Sequence, residues 1–201
     1  MISQPKRPVI LASKSPRRAA LLDQINLAYQ VQPATIDESQ VPRAQESPIT
    51  AAEYLAEKKA RTIAETARNA FVIGADTVVH LDGQILGKPQ NSEEAITTLR
   101  QLSGNSHRVI TGVALIAVPE QIVHVFSEET VVHFRNLTGD EIKAYVATGE
   151  PKDKAGAYGI QGLGALLVDY IHGDYNNVVG FPVSAFYQYF IQIKSQVESS
   201  G

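Results

Sequence analysis

The sequence predicts an α/β fold built on a mixed β-sheet. Predicted strands and helices alternate over the first half of the 201-residue chain, an order that is typical of α/β proteins. Residues 71–81, FVIGADTVVHL, are largely apolar on both faces, which places this strand in the buried centre of the sheet. Two long predicted strands, 107–118 and 121–135, then follow one another around Pro119, and this β-rich stretch makes the sheet a mixed one.

The first elements follow from apolar runs and from helix-start signals. Residues 9–12 are a short apolar strand. Ser15 and Pro16 suit the N-cap and the first position of a helix over 16–25. Residues 28–33, AYQVQP, alternate in polarity and therefore predict a second strand.

The next elements surround the central strand. Residues 34–46 are polar and irregular, and the Ser-Pro pair at 47–48 then begins a long helix that is expected to reach about residue 69. The Asp-Gly pair at 82–83 predicts a hairpin turn after the central strand, with 84–86 as its return strand.

Two further helices are defined by their ends. One begins at the acidic sequence 92–94 and is expected to end near Gly104. The other begins with a capping box formed by Thr138 and Glu141, and Gly149 ends it.

The last part of the chain is a glycine-rich loop followed by a strand and a helix. The loop covers residues 150–164, and residues 165–171 are the predicted strand. The sequence HGDY at 172–175 predicts a turn, and Pro182 begins a helix to about residue 194. The tail from residue 195 is expected to fray.

Composition limits the possible classes of protein. The length suits one domain, or one domain with a smaller lobe, and we expect residues 1–201 to form a single domain. The formal net charge is −3, which argues against a general nucleic-acid binder, since such proteins usually carry a basic excess. The chain has no cysteine, so disulfides, thiolate catalysis and cysteine–metal clusters are excluded.

Apolar runs limit the location of the protein. No apolar run reaches the roughly 18 residues of a membrane span. The apolar run near the N-terminus is also too short for a secretory signal. We therefore expect a cytoplasmic protein that does not associate with membranes.

Two arginines in a first helical turn are the first candidate site. Arg17 and Arg18 lie where the helix dipole favours anions, so their charge is unfavourable there by roughly 0.3–1 kcal/mol unless an anion binds. Free backbone N–H groups and guanidinium groups together are suited to a phosphate. Two solvent-facing arginines without a role remain the alternative.

Asp76 is the second candidate, because an ionised carboxylate in an apolar strand is costly unless it is paired or binds a metal. Gly74 lies on the same face and leaves room for a group to approach. Asp76 is therefore a catalytic carboxylate, a metal ligand, or a structural group satisfied by a lysine or by backbone donors. The basic candidates are Lys88 and Lys59. Lys88 lies across the predicted hairpin from Asp76, and the alternative for Lys59 is a solvent-exposed helix residue.

The remaining patterns are weaker. Asp37 and Glu38 are adjacent acids in a polar loop. The five histidines form no close metal-ligand pattern, and no GxSxG serine-hydrolase motif is present. In the loop 153–162 the primary amide of Gln161 offers a donor and an acceptor, which match two adjacent groups on the edge of uracil or thymine.

These segments together resemble the Maf family of nucleoside triphosphate pyrophosphatases. The resemblance covers roughly residues 9–185, and the segments that carry it are LASKSPRRAALL, ATIDES, LAEKKA, GADTVV, LGKP, LSGNSHRVITGVAL, FRNLTGDEIKAYVATGEPKDKAGAYGIQG and NNVVGFP. The sequence GEPKDKAGAYGIQG is similar to the branch that acts on dTTP and UTP. Departures are Lys14, where the family often has glycine, and the Asn pair at 176–177.

The resemblance implies a fold, a reaction and partners. The fold would be a mainly central twisted sheet flanked by helices, like those of Maf proteins and inosine triphosphatases, with a smaller lobe. The reaction would be hydrolysis of dTTP or UTP between the α and β phosphates, giving a nucleoside monophosphate and pyrophosphate. The resemblance further implies Mg²⁺ or Mn²⁺, a homodimer, and a plausible role in removing noncanonical nucleotides.

The resemblance also implies roles for individual residues. The catalytic positions are Asp76, Lys88, Glu38 and Lys59. The substrate-binding positions are Ser13, Arg17, Arg18, Thr77 and Gln161. The metal would be bound by Glu38 and Asp76. On this hypothesis the arginines hold the triphosphate and Asp76 orients or deprotonates the attacking water. Thr77 and Gln161 read the pyrimidine, with a contribution from Arg17.

Two other readings stay open at this point. The first is a phosphatase, or a triphosphate pyrophosphatase of similar architecture that acts on purines. The second is a nucleotide-binding regulator of cell division or septum formation without turnover, although a pure binder has no need of a carboxylate that activates water.

Overall fold

The computed structural model describes residues 4–36 and 47–199, which form a mixed β-sheet with helices on both faces. The strands are β1 (Val9–Leu11), β2 (Gln30–Val31), β3 (Ala70–Leu81), β4 (Gln84–Leu86), β5 (Ser106–Val118), β6 (Ile122–Phe134) and β7 (Val168–His172). The helices are α1 (Pro16–Gln24), α2 (Pro48–Ala64), α3 (Ser92–Leu102), α4 (Gly139–Ala147), α5 (Tyr175–Val179) and α6 (Val183–Ser199). The predicted α/β fold with a central mixed sheet is confirmed.

The described strands form one sheet in the order β2-β1-β3-β5-β6-β7, and β4 pairs with β3. β1 is parallel to β2 and β3, whereas the other pairs are antiparallel. β3 is the central strand that its apolar sequence predicts, since it pairs with β1 and β4 along one edge and with β5 along the other.

Alternation along β3 divides the core into two parts. Phe71, Ile73 and Ala75 face the larger part, which also contains buried side chains of α1, α3, α4 and α6. Ala70 and Val72 face the smaller part, which is covered by α2. This two-sided burial explains why almost every residue of β3 is apolar.

Several predicted boundaries near the N-terminus require correction. β2 is limited to two residues rather than 28–33, and α2 ends at Ala64 rather than near residue 69. Ser15 does occupy the N-cap of α1, but its side chain makes no capping hydrogen bond. The hydroxyl of Ser13 instead accepts a hydrogen bond from the Ser15 N–H. The N–H group of the N-cap residue therefore has its partner two residues upstream.

The C-terminal boundaries also differ. The glycine-rich stretch 150–164 contains turns of 3-10 helix, and β7 covers 168–172 rather than 165–171. The predicted turn at 172–175 leads directly into α5. The tail does not fray at residue 195, because α6 continues to Ser199 and buries Val197. No helix in the described part of the chain has the length and apolarity needed to cross a membrane.

Candidate active site

A break in strand pairing along one edge of β3 creates the candidate site. β1 pairs with β3 only as far as Ile73, and β4 pairs with it only from Val79. Asp76 and Thr77 lie between these two points, just beyond the carboxyl end of β1, which is where open α/β sheets usually bind ligands. A cavity of about 730 Å³ opens at this break, and its size is ordinary for a small-molecule site.

The cavity brings together eight of the nine residues to which the sequence analysis assigned a catalytic, substrate-binding or metal-binding role. Those that line it are Ser13, Arg17, Arg18, Lys59, Asp76, Thr77, Lys88 and Gln161. The ninth, Glu38, lies outside the described residues, as does Asp37. The placement of the eight is a structural finding, whereas their roles stay predictions.

Close packing of α2 against the sheet positions Lys59. A Cβ at Gly74 would overlap the Ala56 carbonyl, and one at Gly112 would overlap the backbone of Ala52. Gly74 therefore makes room for a helix backbone and not for a ligand, which corrects the sequence-based interpretation. This approach brings Nζ of Lys59 to 2.6 Å from Oδ1 of Asp76.

The Lys59–Asp76 pair makes Asp76 both a carboxylate satisfied by a lysine and a carboxylate that a ligand can reach. The two side chains are only 12% and 14% exposed, and the pairing lowers the cost of placing a carboxylate in an apolar strand. Both residues nevertheless line the cavity. Asp76 is thus satisfied by a lysine, as a structural aspartate would be, and is also accessible from the cavity.

Arg18 is held by groups from three separate segments. Its guanidinium donates to the Gly180 carbonyl at 2.9 Å, to Oγ of Ser13 at 3.1 Å and to Oγ1 of Thr77 at 3.1 Å. Arg17 instead faces the carboxylate of Asp153 at 3.2 Å across the cavity. The arginines are therefore not two equivalent solvent-facing cations.

A chain of hydrogen bonds extends from Arg18 into the core. Oγ1 of Thr111 donates to the Asn177 carbonyl, so its hydrogen is unavailable to Thr77, and the 2.9 Å bond between the two hydroxyls must be donated by Thr77. Thr77 in turn accepts from Arg18. The sequence analysis did not predict a role for Thr111 or Asn177. Both have polar side chains, and the structure shows that both are fully buried.

Positive charge is concentrated in the cavity although the chain as a whole is acidic. Among the described lining residues the cations are Lys14, Arg17, Arg18, Lys59, Lys88 and Lys154, and the carboxylates are Asp76 and Asp153. Burial raises the pKa of Asp153, but hydrogen bonds and charge from Lys154 and Arg17 outweigh it and hold that pKa below its usual value. One of these cations is Lys14, which departs from the pattern of the family that the sequence resembles.

Tyr158 forms part of the cavity wall and was not predicted from the sequence. Its hydroxyl lies 2.8 Å from Nε2 of His107, which is buried behind it on β5. Burial, with a smaller contribution from His133, lowers the pKa of His107 to about 4, so the imidazole is neutral at pH 7. This pair fixes the cavity wall next to Gln161 without adding charge.

A divalent metal fits the chemistry of the described residues only together with a substrate. In residues 4–36 and 47–199 no group of three or more histidine or acidic side chains is placed to hold a metal ion. Mg²⁺ commonly takes one or two carboxylates and completes its shell with phosphate oxygens and water. The accessible carboxylate of Asp76 suits such an arrangement.

Comparison with known proteins identifies the family of this chain. The family model described as Maf-like protein matches residues 8–193. The chain belongs to the Maf family.

Curated relatives are similar to this chain over most of their length. A dTTP/UTP pyrophosphatase of Geobacillus sp. (strain WCH70) is 52% identical over 89% of this chain and 94% of its own. The dTTP/UTP pyrophosphatase of Moorella thermoacetica is 51% identical over 87% of this chain and 89% of its own. The dTTP/UTP pyrophosphatase of Symbiobacterium thermophilum is 47% identical over 96% of this chain and 97% of its own.

Proposed function

We propose that this chain is a dTTP/UTP pyrophosphatase, which adds water across the bond between the α and β phosphates and releases a nucleoside monophosphate and pyrophosphate. The observation that carries the proposal is a cavity of nucleotide size in which cationic side chains surround the accessible carboxylate of Asp76. Its Maf relatives that carry this activity in their names support the choice of dTTP and UTP.

The cations of the cavity bind and orient the triphosphate. Arg17, Lys14 and the N-terminus of α1 lie together on one wall, where guanidinium, ammonium and backbone N–H groups attract phosphate oxygens. Lys88 reaches the same cavity from the end of β4 and stabilises the charge that develops on the phosphates. Arg18 is fixed by Ser13, Thr77 and Gly180, so its charge needs no rearrangement when a nucleotide binds.

Asp76 takes the proton of the attacking water. Lys59 donates to Oδ1 and so holds the carboxylate in one orientation on the cavity wall. Water then adds to a phosphorus of the α–β bridge, its proton passes to the carboxylate, and the bridging bond breaks. A Mg²⁺ or Mn²⁺ ion held by Asp76, with Glu38 as the predicted second ligand, would supply further charge neutralisation when bound.

Selection of the base depends on Gln161. Its side chain is exposed on the cavity wall, and one primary amide matches two adjacent groups of uracil or thymine. Thr77 assists indirectly in this proposal, since its only hydroxyl hydrogen is already donated to Thr111. Assembly as a homodimer and location in the cytoplasm stay predictions from the sequence.

The proposal is tested by pyrophosphate release from the purified protein. The substrates are dTTP, UTP, dCTP, ATP and GTP, each with Mg²⁺ or Mn²⁺ and with EDTA. We expect metal-dependent release from dTTP and UTP, with little from the purines. Release mainly from ATP or GTP would overturn the selectivity, orthophosphate would indicate a phosphatase, and binding without any product would indicate a nucleotide-binding regulator.

A further inference from the structure

The loop that carries Gln161, residues 159–164, is closed on itself. A Cβ at Gly164 would overlap the carbonyl oxygen of Gly159, so the two ends of the loop are in backbone contact. Gln161 lies midway between these ends and lines the cavity. The position of its amide therefore depends on what holds the ends together.

Glu150 supplies one of the groups that hold this loop. Its Oε1 accepts a hydrogen bond from the Gly164 N–H at 3.0 Å, and its Oε2 accepts one from the Leu163 N–H at 3.1 Å. Oε2 would lie only 2.9 Å from a Cβ at Gly162, a residue whose φ is +69°. The carboxylate thus fills the space beneath the loop, and glycine at 162 leaves room for it.

Tyr145 links Glu150 to the other end of the loop. The Tyr145 hydroxyl donates to Oε1 of Glu150 at 3.0 Å and accepts from the Gly159 N–H at 3.3 Å. Burial raises the pKa of this hydroxyl, although its bond from Gly159 acts in the opposite direction, so it remains protonated at neutral pH. One hydroxyl and one carboxylate therefore tie both ends of the loop together.

The same contacts cap the short helix that follows Gln161 and leave its side chain out of the capping. Gln161 occupies the N-cap position of the 3-10 helix Gly162–Leu167, where a short side chain such as that of Ser, Thr, Asp or Asn usually accepts a hydrogen bond from the first helical N–H groups. Here the Gln161 side chain makes no such bond, and Glu150 accepts from the N–H groups of Leu163 and Gly164. The amide is left for a ligand.

We propose that Glu150 is a positioning residue for nucleotide selection, which acts by capping the loop 159–164 in place of Gln161. This inference rests on the proposed function, since selection has meaning only if the chain hydrolyses nucleoside triphosphates. Glu150 itself contacts no reacting atom in this proposal. Its effect reaches the base only through the backbone position of Gln161.

The main test is the substitution Glu150→Gln, measured as kcat/KM for dTTP and for dCTP. An amide presents one acceptor oxygen where the carboxylate presents two, so one backbone N–H of the loop loses its partner. We expect the ratio of kcat/KM for dTTP to that for dCTP to fall about 10-fold, chiefly through a higher KM for dTTP. The kcat for dTTP is expected to change less than about 3-fold.

A double-substitution cycle shows whether Glu150 acts through Gln161. Gln161→Ala alone is expected to lower the dTTP to dCTP ratio, and adding Glu150→Gln should lower it no further. If the two losses multiply, Glu150 does not act through Gln161 and the inference is wrong.

Two further variants control for folding. Tyr145→Phe removes the shared hydroxyl but keeps the ring, and it should shift the ratio in the same direction as Glu150→Gln even where the latter folds poorly. Glu141→Gln is the matched control, since Glu141 also accepts a backbone N–H bond, from Thr138, but does not line the cavity. It should leave the ratio unchanged.

The outcomes separate this inference from the proposed function. If the unsubstituted chain releases no pyrophosphate from dTTP or UTP, the proposed function fails and the inference fails with it. If that chain is active and selective but Glu150→Gln and Tyr145→Phe keep its selectivity, only the inference fails. An equal loss of kcat for every nucleotide would indicate a merely structural role and would also overturn it.

Discussion

At the scale of single residues, the site depends on how each polar group is satisfied. Asp76 is paired with Lys59, and Arg18 is fixed by acceptors from three segments. Polar groups in such surroundings are already oriented before a ligand binds, which is the condition for electrostatic stabilisation of a transition state. Substitutions at these residues should therefore affect turnover more than fold.

Asp76→Asn is expected to lower kcat for dTTP by at least about 100-fold, because the amide cannot accept the proton of the attacking water. Circular dichroism should show an unchanged fold. Asp169→Asn, at an exposed position of β7, is the matched control and should retain full activity. Near-normal turnover by Asp76→Asn would remove Asp76 from the mechanism.

His107 makes stability depend on pH. Its pKa is about 4 in the folded chain and about 6.5 when unfolded, so the unfolded state binds the proton more tightly. The stabilisation from a neutral His107 is present above pH 6.5 and is lost as the pH falls towards 4. Between pH 7 and pH 4.5 this effect lowers the free energy of unfolding by about 2–3 kcal/mol.

Urea denaturation of the unsubstituted chain and of His107→Gln measures this contribution. Glutamine does not titrate, so the stability difference between the two proteins should shrink by about 2–3 kcal/mol from pH 7 to pH 4.5. Glu141 also makes stability depend on pH, because a hydrogen bond from Arg135 lowers its pKa to about 2. Its contribution is lost only below the pH range compared here. A difference independent of pH would contradict the neutral state of His107.

At the scale of elements, α2 determines where Lys59 lies. The helix crosses β3 and β5 at glycine residues, and its backbone occupies the volume that side chains would fill. This contact was not visible in the sequence, where Gly74 suggested an approaching ligand. A larger residue there moves the helix and therefore the lysine.

Gly74→Ala should lower the free energy of unfolding by about 1–3 kcal/mol and should also reduce kcat, because the added methyl overlaps the Ala56 carbonyl. Gly139→Ala is the matched control, since a Cβ at this first residue of α4 meets no atom within 4 Å. It should change the free energy of unfolding by less than about 0.5 kcal/mol and should leave kcat unchanged. Equal effects of the two substitutions would show that helix contact at Gly74 is unimportant.

The C-terminal end of α6 is held by burial of one side chain. Val197 is buried 14 residues after the helix begins, in a tail whose polar sequence predicted fraying. Val197→Ala should lower the free energy of unfolding by about 1–2 kcal/mol, from the lost methyl groups and the space they leave. Ser195→Ala, on the exposed side of the same helix, should change it by less than about 0.5 kcal/mol.

At the scale of the whole molecule, the site joins distant parts of the chain. Ser13 and Arg17 come from the N-terminal segment, Asp76 from the central strand, and Asp153 and Gln161 from the region before β7. Their assembly concentrates cations in a protein whose formal net charge is −3. The local field, and not the net charge, therefore determines whether an anion binds.

The KM for dTTP should rise at least about 3-fold when ionic strength increases from about 0.05 M to about 0.5 M, because salt screens attraction between the cavity and the triphosphate. The measurement is made at saturating Mg²⁺, and kcat should change less than KM. Thermal unfolding in the same buffers provides the control for stability. A KM that does not depend on salt would show that the cations are not the main attraction for substrate.

The sequence predicted much of both the fold and the site. Hydrophobic periodicity and capping residues indicated most elements, because local patterns and side-chain polarity encode them. The polar residues singled out within apolar or helix-start contexts, such as Asp76 and Arg17, line one cavity. Short elements were predicted poorly, since β2 and α5 depend on neighbouring strands and loops more than on their own residues.

The sequence by itself determined the residue types, their order along the chain and the two-sided burial of β3. Only the tertiary structure decided that Gly74 accommodates α2, that Asp76 is paired with Lys59, and that Glu150 holds the loop of Gln161. The physical reason is that these contacts join groups whose separation in space is unrelated to their spacing along the chain. Local propensity cannot encode such contacts, because they form only when the sheet brings the segments together.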